Sequence, residues 1–228
     1  MIRIVFQNKN FVVCNKPSEV LSVPGREKSD VRACLGLALQ DELKTQIFPV
    51  HRLDYETSGL ILYALNSASH KASQEWFMKR TIHKHYQAVT GFQNFSHWPS
   101  HVETDQSVIE ASVGLTAFWK TQMQRGKRRS FESKSGEWAE TNARVLQTTP
   151  QRVLWQLDPV TGKPHQLRFE LSRRGFPIIG DQLYGSQESF TGADFAGLAL
   201  RAVSLNLSGI ENRLGLPERF DIEGFSIH

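Results

Sequence analysis

The clearest hydrophobic segment of the chain is Leu60–Leu65, a nearly unbroken run of apolar residues. Such a run is typical of a strand that is buried on both faces. The turn-forming residues Thr57–Gly59 precede it, and the polar stretch His51–Asp54 lies just before them. Polar groups at the mouth of a buried strand often form an active site, but a strand preceded by a capped turn has the same pattern.

Shorter apolar or alternating segments predict further strands. By contrast, Phe92–Ser112 has weak periodicity and is expected to be a loop or hairpin excursion, and the tail after Leu207 is expected to be irregular. The other predicted strands are Ile2–Phe6, Phe11–Cys14, Lys84–Gly91, Val113–Trp119, Ala139–Leu146, Arg152–Leu157 and Leu198–Leu207.

Two helices are predicted in the first third of the chain. Ser29 or Asp30 is expected to cap a helix that runs to about Leu43. Asn66–Ser67 is expected to cap a second helix that runs to about Arg80.

A third helix is predicted after Thr161–Pro164, with proline in its first turn, and Gly175 stands where a C′ glycine would end it. Strands outnumber helices and do not alternate with them regularly. This pattern predicts a mixed α+β domain rather than a doubly wound sheet.

Composition narrows the class of protein. No repeat or long linker divides the 228 residues, so a single domain spanning residues 1–228 is expected. The formal charge of +4 mildly favours a polyanionic partner, although a basic soluble enzyme is the plain alternative. Cys14 and Cys34 form no CxxC pair, which favours a reducing cytoplasm over a disulfide framework or a zinc site. The sequence shows neither a signal peptide nor a run of 18 apolar residues, so no membrane association is expected.

Asp54 is the leading candidate for catalysis. Beside Arg52, it could equally be a capping or salt-bridged residue. A lone carboxylate cannot perform the paired acid–base chemistry of a glycosidase, and Glu56 is too close along the turn to supply the second group. If Asp54 is catalytic, we expect it to act as a nucleophile or as a single base.

Two further residues suit a site that contains a carboxylate. His165 and Arg168 are three residues apart and would share a helix face. Arg168 could hold a carboxylate through a charge-assisted fork, or it could be an ordinary exposed helical arginine. Tyr86 could be a core residue, or its ring could stack on a planar ligand, which is worth ~1–3 kcal/mol per base in nucleic-acid sites.

Basic residues cluster in the run Lys120–Arg129, which could be a solvated loop or a clamp on phosphates. His83 and His85 could share a strand face as metal ligands, but no acidic or cysteine partner has a suitable spacing, so no metal site is expected. The chain contains neither a glycine-rich phosphate loop nor G-x-S-x-G, which weakens nucleotide-dependent and serine-hydrolase functions.

The stretch His51–Leu60 resembles the signature of the RluA family of RNA pseudouridine synthases. Four further segments resemble the other motifs of that family and occur in the expected order, so the resemblance covers most of the chain from Asn15 to Gly185. These segments are Asn15–Pro17 with Leu21–Gly25, Lys84–Val89, Gly162–Arg168 and Ile179–Gly185.

The resemblance implies a cofactor-free isomerase with the pseudouridine synthase fold. That fold is α+β, with a mixed, largely antiparallel central sheet, flanking helices and an RNA-binding cleft. Such an enzyme detaches uracil from its ribose, rotates it and rejoins it through carbon 5. By motif match, Asp54 is the catalytic residue, whether as a nucleophile or as a base. Tyr86 stacks on the uracil and can remove the carbon 5 proton, and Arg168 pairs with Asp54. Arg52 fills the gap that the flipped nucleotide leaves. The further RNA contacts expected are His165, Gln166, Leu167, Lys120, Arg125, Lys127, Arg128 and Arg129.

Three positions depart from the family pattern: Lys163 replaces an arginine, Pro164 a serine or threonine, and Arg201 a histidine. The N-terminal RNA-binding accessory domain of many relatives is expected to be absent, so the catalytic domain would grip RNA by itself, as a monomer. Small members of the family suggest ribosomal or transfer RNA as the target. Two rival functions are an RNA-binding protein without catalysis and a carboxylate-based hydrolase of nucleosides.

Overall fold

The computed structural model describes residues 2–25, 27, 29–98, 105–192 and 195–227. Its chain forms two compact units, each with its own internal contacts. Unit 1 comprises Met1–Lys84 and Arg201–Glu223, and unit 2 comprises His85–Leu200 and Gly224–His228. This division leaves the single-domain prediction open.

Strands dominate both units. The elements in chain order are β1 (Arg3–Gln7), β2 (Phe11–Lys16), α1 (Leu35–Leu43), β3 (Phe48–Pro49), β4 (Ser58–Ala64), α2 (Ser67–Met78), β5 (His83–Thr90), β6 (Thr116–Arg125), β7 (Ser130–Glu132), β8 (Glu137–Thr148), β9 (Val153–Pro159), α3 (Gln166–Arg173), a 3₁₀ turn (Gln182–Tyr184), β10 (Phe190–Gly192), β11 (Phe195–Gly197), β12 (Leu200–Asn206) and β13 (Arg219–Asp221).

Unit 1 is built on β4, in which all seven residues are buried, as the apolar run predicted. Strand β2 pairs antiparallel with it along its length, and β1 pairs with β2. On the other side, β12 runs parallel to β4, with Arg201 opposite Ser58. The short strands β3 and β13 add to β4 and β12, and both were missed in the sequence because two or three residues carry no detectable period.

Gly59 marks the point where β4 begins beside β12. Its φ of 112° lies in the region that favours glycine, and a Cβ there would lie 2.2 Å from the carbonyl oxygen of Ala202. The close approach of the two strands therefore requires glycine at this position.

Helix α2 packs on this sheet as predicted. The side chain of Asn66 accepts a hydrogen bond of 2.9 Å from the amide of Ser69, which confirms the predicted cap. Trp76 from α2 joins Phe11 and Leu60 in the hydrophobic core of the unit.

The predicted cap of α1 is wrong. The helix begins at Leu35, several residues after Ser29 and Asp30, and its N-cap Cys34 makes no side-chain capping bond. The carboxylate of Asp30 instead accepts hydrogen bonds from Arg32, which lower its pKa to about 2. A local turn therefore uses the acid that the pattern assigned to the helix.

Unit 2 contains an antiparallel sheet with the strand order β5-β9-β8-β6-β7. Alternation along β6 buries Trp119, Thr121 and Met123 and leaves Phe118 and Lys120 exposed. Lys120 belongs to β6 and forms an ion pair of 3.0 Å with Glu140, so the basic run is not one continuous loop. Cross-strand pairing with β8 extends the strand beyond the end that the sequence predicted.

Helix α3 starts later than predicted. Pro164 lies before the helix rather than in its first turn, and His165 is the N-cap in a left-handed conformation, with φ of 53°. At the other end, Gly175 follows the cap residue Arg174 with φ of 80°, which confirms the predicted C′ glycine.

The α+β fold class is confirmed, since both units combine mainly antiparallel strands with helices. No helix in the described ranges is long and apolar enough to cross a membrane. Both cysteines, Cys14 and Cys34, are free and buried.

Candidate functional site

Asp54 lies in unit 1, on the loop that joins β3 to β4. Its side chain is partly exposed, whereas the preceding Leu53 is buried and anchors the loop. The carbonyl oxygen of Asp54 accepts a hydrogen bond of 3.1 Å from the amide of Thr57 and closes the turn into β4. The loop therefore presents Asp54 at the start of the buried strand, as the polar pattern indicated.

Lys16, at the end of β2, binds the backbone of this loop through its side chain. Its side chain is fully buried, and Nζ donates hydrogen bonds to the carbonyl oxygens of Pro17, Val20 and Tyr55 at 2.9, 2.7 and 3.1 Å. An ammonium group has three N–H donors, and all three are used. Lys16 therefore ties the N-terminal motif to the residue that follows Asp54 in the chain.

The charge of Lys16 is balanced by its surroundings. Burial lowers the pKa of its ammonium group to about 8, and the negative charges of Asp54 and Glu56 oppose this shift. The only signal for Lys16 in the sequence is its place in the motif Asn15–Pro17, and that motif does not indicate a contact with the Asp54 loop.

Two serine side chains also bind the backbone of the Asp54 loop, and with Lys16 they form a clamp on it. The hydroxyl of Ser22 donates to the carbonyl oxygen of Leu53 at 2.9 Å and accepts from the amide of the same residue at 3.0 Å. The hydroxyl of Ser18 donates to the carbonyl oxygen of Glu56 at 2.6 Å. The backbone is therefore held on both sides of Asp54, which limits where its carboxylate can point.

The two residues at the start of the signature differ in environment. His51 accepts a hydrogen bond on Nε2 from the amide of Leu62 at 3.1 Å, and burial lowers the pKa of its imidazole to about 3. His51 is therefore neutral and structural. Arg52 is exposed, and its guanidinium makes no ion pair with any residue that the structure describes.

Tyr86 lies in unit 2, on β5, opposite Leu157 of β9, and it is 8% exposed. Its neighbour His85 points to the other face of the strand, where Nδ1 lies 2.6 Å from a carboxylate oxygen of Asp158. His85 is thus engaged with an acid that the sequence reasoning had not considered. No group of three potential metal ligands occurs within the described ranges.

Arg168 is buried on α3, so the alternative of an exposed helical arginine is wrong. Its Nε and Nη2 atoms each lie 2.7 Å from a carboxylate oxygen of Asp181, which gives a two-point fork. Both side chains are almost completely removed from water. The fork fixes the plane of the guanidinium group.

Asp181 reaches Arg168 because of a tight turn. Gly180 adopts φ of 85°, and a Cβ there would lie 1.8 Å from the carbonyl oxygen of Gly197. Asp181 belongs to the family-like segment Ile179–Gly185, but no pattern in the sequence marks it as the partner of Arg168. A buried arginine needs a carboxylate partner, and this need becomes visible only in the structure, where Arg168 is buried.

Tyr184 links this pair to the basic hairpin between β6 and β7. Its ring lies 5.3 Å from the Arg168 guanidinium, and its hydroxyl accepts a hydrogen bond of 2.7 Å from the amide of Ser130. Nδ1 of His165 lies 3.2 Å from the same hydroxyl. His165 therefore belongs to the network that joins α3 to the hairpin.

The hairpin turn is short and strongly basic. The amide of Gly126 bonds to the carbonyl oxygen of Arg129 at 3.0 Å, and the side chains of Lys127, Arg128 and Arg129 are exposed. Arg125 lies 3.3 Å from the ring nitrogens of His165. The structure thus brings the predicted hairpin cations together on one turn.

Gln166 and Leu167, both expected to contact RNA, are buried. The side-chain amide of Gln166 makes four hydrogen bonds, to Thr161, Lys163, Glu140 and Thr141. Those bonds hold the start of α3, and an RNA contact by either residue stays a prediction that this burial does not favour.

The three departures from the family pattern have structural partners. Lys163 forms an ion pair of 2.7 Å with Glu137, and the carbonyl oxygen of Pro164 accepts from the hydroxyl of Ser130. Arg201 is buried, and its Nε donates to the carbonyl oxygen of Glu223 at 3.0 Å.

Unit 1 thus presents an aspartate on a loop held by buried polar side chains, and unit 2 presents a buried arginine beside a basic hairpin. Residues 10–173 match the model of the family described as RNA pseudouridylate synthase, so the chain belongs to that family. Two curated relatives share its sequence over most of its length. The dual-specificity RNA pseudouridine synthase RluA of Pasteurella multocida is 34% identical over 187 residues, or 82% of this chain and 78% of that protein. The protein of the same name from Yersinia pestis is 31% identical over 230 residues, or 96% of this chain and 98% of that protein.

The resemblance to the RluA family is thus confirmed, and the chain is an RNA pseudouridine synthase, which is an isomerase acting on RNA. Two human structures share the fold. The match to human RNA pseudouridylate synthase domain containing 1 has a TM-score of 0.67 at 22% identity and covers 91% of this chain and 78% of that protein's chain. The match to human RNA pseudouridylate synthase domain containing 4 has a TM-score of 0.64 at 24% identity and covers 92% of this chain and 85% of that protein's chain.

Proposed function

We propose that this synthase converts specific uridines of structured ribosomal or transfer RNA to pseudouridine, with Asp54 as the catalytic residue. The observation that carries the proposal is the clamp on the Asp54 loop, where Lys16, Ser18 and Ser22 bind backbone atoms on both sides of the carboxylate. Fixing a reactive group in this way is worth a large part of a catalytic barrier. Glu56, the neighbouring acid, has no part in the reaction.

The reaction exchanges one glycosidic bond for another. The bond from C1′ of the ribose to N1 of uracil breaks, the base rotates, and a bond from C1′ to C5 forms. The proton leaves C5, and N1 gains a proton. Asp54 acts either by forming and releasing a bond to C1′ or by removing a proton from the sugar.

The other assigned residues serve this exchange. Tyr86 supports the detached uracil with its ring and takes the proton from C5. Arg168, whose plane is set by Asp181, keeps the catalytic carboxylate ionised. Arg52, which is exposed, occupies the space that the extruded nucleotide leaves in the RNA.

The hairpin cations Arg125, Lys127, Arg128 and Arg129 hold the phosphates of the RNA. They are exposed, which suits contacts with a polyanion. Because the similar RluA proteins are named dual-specificity synthases, we expect more than one target RNA. We further propose that the protein works as a monomer in the cytoplasm.

The test is to map pseudouridine in ribosomal and transfer RNA from cells that lack this protein. Sites that disappear should return with the wild-type protein and with Glu56→Gln, but not with Asp54→Asn. The last variant should keep its folded structure and its RNA affinity within about twofold, since an amide conserves the shape of the side chain. Modification by Asp54→Asn would contradict the role of Asp54.

The rival hydrolase function predicts a different result. A hydrolase with two carboxyl groups would release uracil from free nucleosides and would lose activity in Glu56→Gln. An RNA-binding protein without catalysis would restore no site in any form. The same set of variants therefore separates the three functions.

A further inference from the structure

Unit 2 contains a cleft of about 980 Å³ that none of the catalytic assignments uses. It lies between β7, the segment at His97–Trp98, α3 and the 3₁₀ turn. Neither Tyr86 nor Arg168 is among its described lining residues. A volume at the upper end of the range of ligand pockets is sufficient for a nucleotide.

Aromatic rings form much of its wall. Trp98, Phe169 and Tyr184 belong to one apolar cluster and line the cleft. Phe131 of β7 also lines it and is 43% exposed, so one face of its ring is open to a ligand. An exposed ring at the edge of an aromatic cleft offers a stacking surface for a planar base.

Positive charge lies beside these rings. Arg129 and Lys134 line the cleft and are exposed, and neither is ion-paired within the part of the chain that the structure describes. By contrast, Arg173 is neutralised by Glu132 at 2.6 Å. The cations available to a ligand are therefore those next to Phe131, and they continue into the basic hairpin turn.

Polar groups could also meet the edge of a base. The amides of Gln182 and Gln187 line the cleft and are exposed, and a side-chain amide carries both a donor and an acceptor. Nε1 of Trp98 is buried without a hydrogen-bond partner among the described residues. Rings, cations and amides in one cleft suit a nucleotide better than an apolar peptide or a small anion.

We infer that this cleft binds an unpaired nucleotide of the substrate RNA, other than the uridine that reacts. The base stacks on Phe131, and the flanking phosphate meets Arg129 and Lys134. The inference rests on the proposed function, since it assigns a second contact to the same substrate. It makes the unpaired nucleotide a determinant of which RNA is chosen.

The first experiment compares substitutions of two exposed phenylalanines. Phe131→Leu should raise the Kd for transfer RNA, isolated from cells that lack the protein, by about 5- to 30-fold, because it removes a stacking ring. Phe131→Tyr keeps the ring and should stay within about twofold of the wild type. Phe118→Leu is the matched control, because Phe118 is 56% exposed on β6 and does not line the cleft. Its Kd should not change.

The second experiment locates the contact. RNA containing 4-thiouridine, cross-linked to the protein by light and digested with trypsin, should label the peptide Ser130–Lys134. Equal affinities for Phe131→Leu and the wild type, or labelling that avoids this peptide, would overturn the inference. If either result is found although the wild type modifies RNA, only the role of the cleft is refuted. If the wild type modifies no RNA, the proposed function itself fails.

Discussion

The loop around Asp54 and the hairpin around Arg128 differ in how their side chains are held. In the loop, Lys16 and Ser22 bind the backbone of Tyr55 and Leu53 through hydrogen bonds of 2.9–3.1 Å. In the hairpin, Lys127, Arg128 and Arg129 are exposed, and the backbone bond from Gly126 to Arg129 lies within the turn that carries them.

The difference follows from what each region does. A reacting carboxylate must be held within a fraction of an ångström, which requires buried contacts on several sides. Cations that attract phosphates act at a distance and can move with the RNA, so burial would only weaken them. The unit 2 arginines show the same contrast, since Arg168 is forked to Asp181 whereas Arg128 is exposed.

The largest effect is expected when an arginine is replaced by lysine at a buried position, and the same change at an exposed position is the comparison. Arg168→Lys removes the planar fork and leaves Asp181 poorly paired in the interior, so the free energy of unfolding should fall by about 2–4 kcal/mol. Activity should fall at least tenfold. Arg128→Lys keeps an exposed charge and should change stability by less than about 0.5 kcal/mol. Urea unfolding and pseudouridine formation measure both, and equal losses would show that the contrast is wrong.

Removing the hairpin charges should weaken RNA binding without loosening the fold. Replacing Arg125, Lys127, Arg128 and Arg129 with glutamine should lower RNA affinity by about 10- to 100-fold and reduce the slope of log K against log salt by roughly 2–4. Filter binding at several salt concentrations measures the slope.

The control for the hairpin variant has the same change in net charge. It replaces four exposed cations of unit 1 with glutamine, namely Lys9, Lys44, Lys71 and Arg80. If that variant loses as much of the salt slope, then net charge matters and the hairpin has no special part.

The pH dependence of stability should reveal the buried ammonium group. The pKa of Lys16 falls from 10.5 in the unfolded chain to about 8 in the folded protein. Between these values the unfolded chain binds more protons, so the contribution of Lys16 to stability is least favourable below pH 8 and becomes more favourable as pH rises. The stability of the wild type minus that of Lys16→Met should therefore increase by about 1–2 kcal/mol from pH 7.5 to 9.5. Urea titrations of both proteins test this, and a constant or falling difference would argue against a buried charged Lys16.

The smallest effect is expected from one serine of the clamp. Ser22→Ala removes both bonds to Leu53, which should cost about 1–2 kcal/mol of stability and several-fold in kcat, with KM unchanged. Ser135→Ala, at an exposed serine beyond the hairpin, serves as the control and should be neutral. A rise in KM with unchanged kcat would mean that Ser22 acts on RNA binding rather than on the loop.

Local patterns were sufficient for part of this structure. The apolar run of β4, the Asn66 cap and the glycine after α3 are each decided within a few residues, so the sequence predicted them correctly. The order of the motifs was likewise sufficient to identify the family. A motif is a pattern of residues along the chain and can be recognised without any tertiary contact.

Other features depended on distant parts of the chain. Lys120 belongs to a strand because Glu140 of β8 pairs with it, and the periodicity around Lys120 does not contain that partner. The late start of α1 is a local effect by comparison, since Asp30 bonds to Arg32, two residues away, instead of capping the helix.

The site shows the same division. By itself, the sequence determined that Asp54 precedes a buried strand and that Arg168 lies in a family motif. Only the tertiary structure decided that Lys16 is buried beneath the Asp54 loop and that Asp181 holds Arg168. The physical reason is that turns and buried runs depend on neighbouring residues, whereas the partner of a buried charge is chosen by whichever segment folding brings within hydrogen-bond distance.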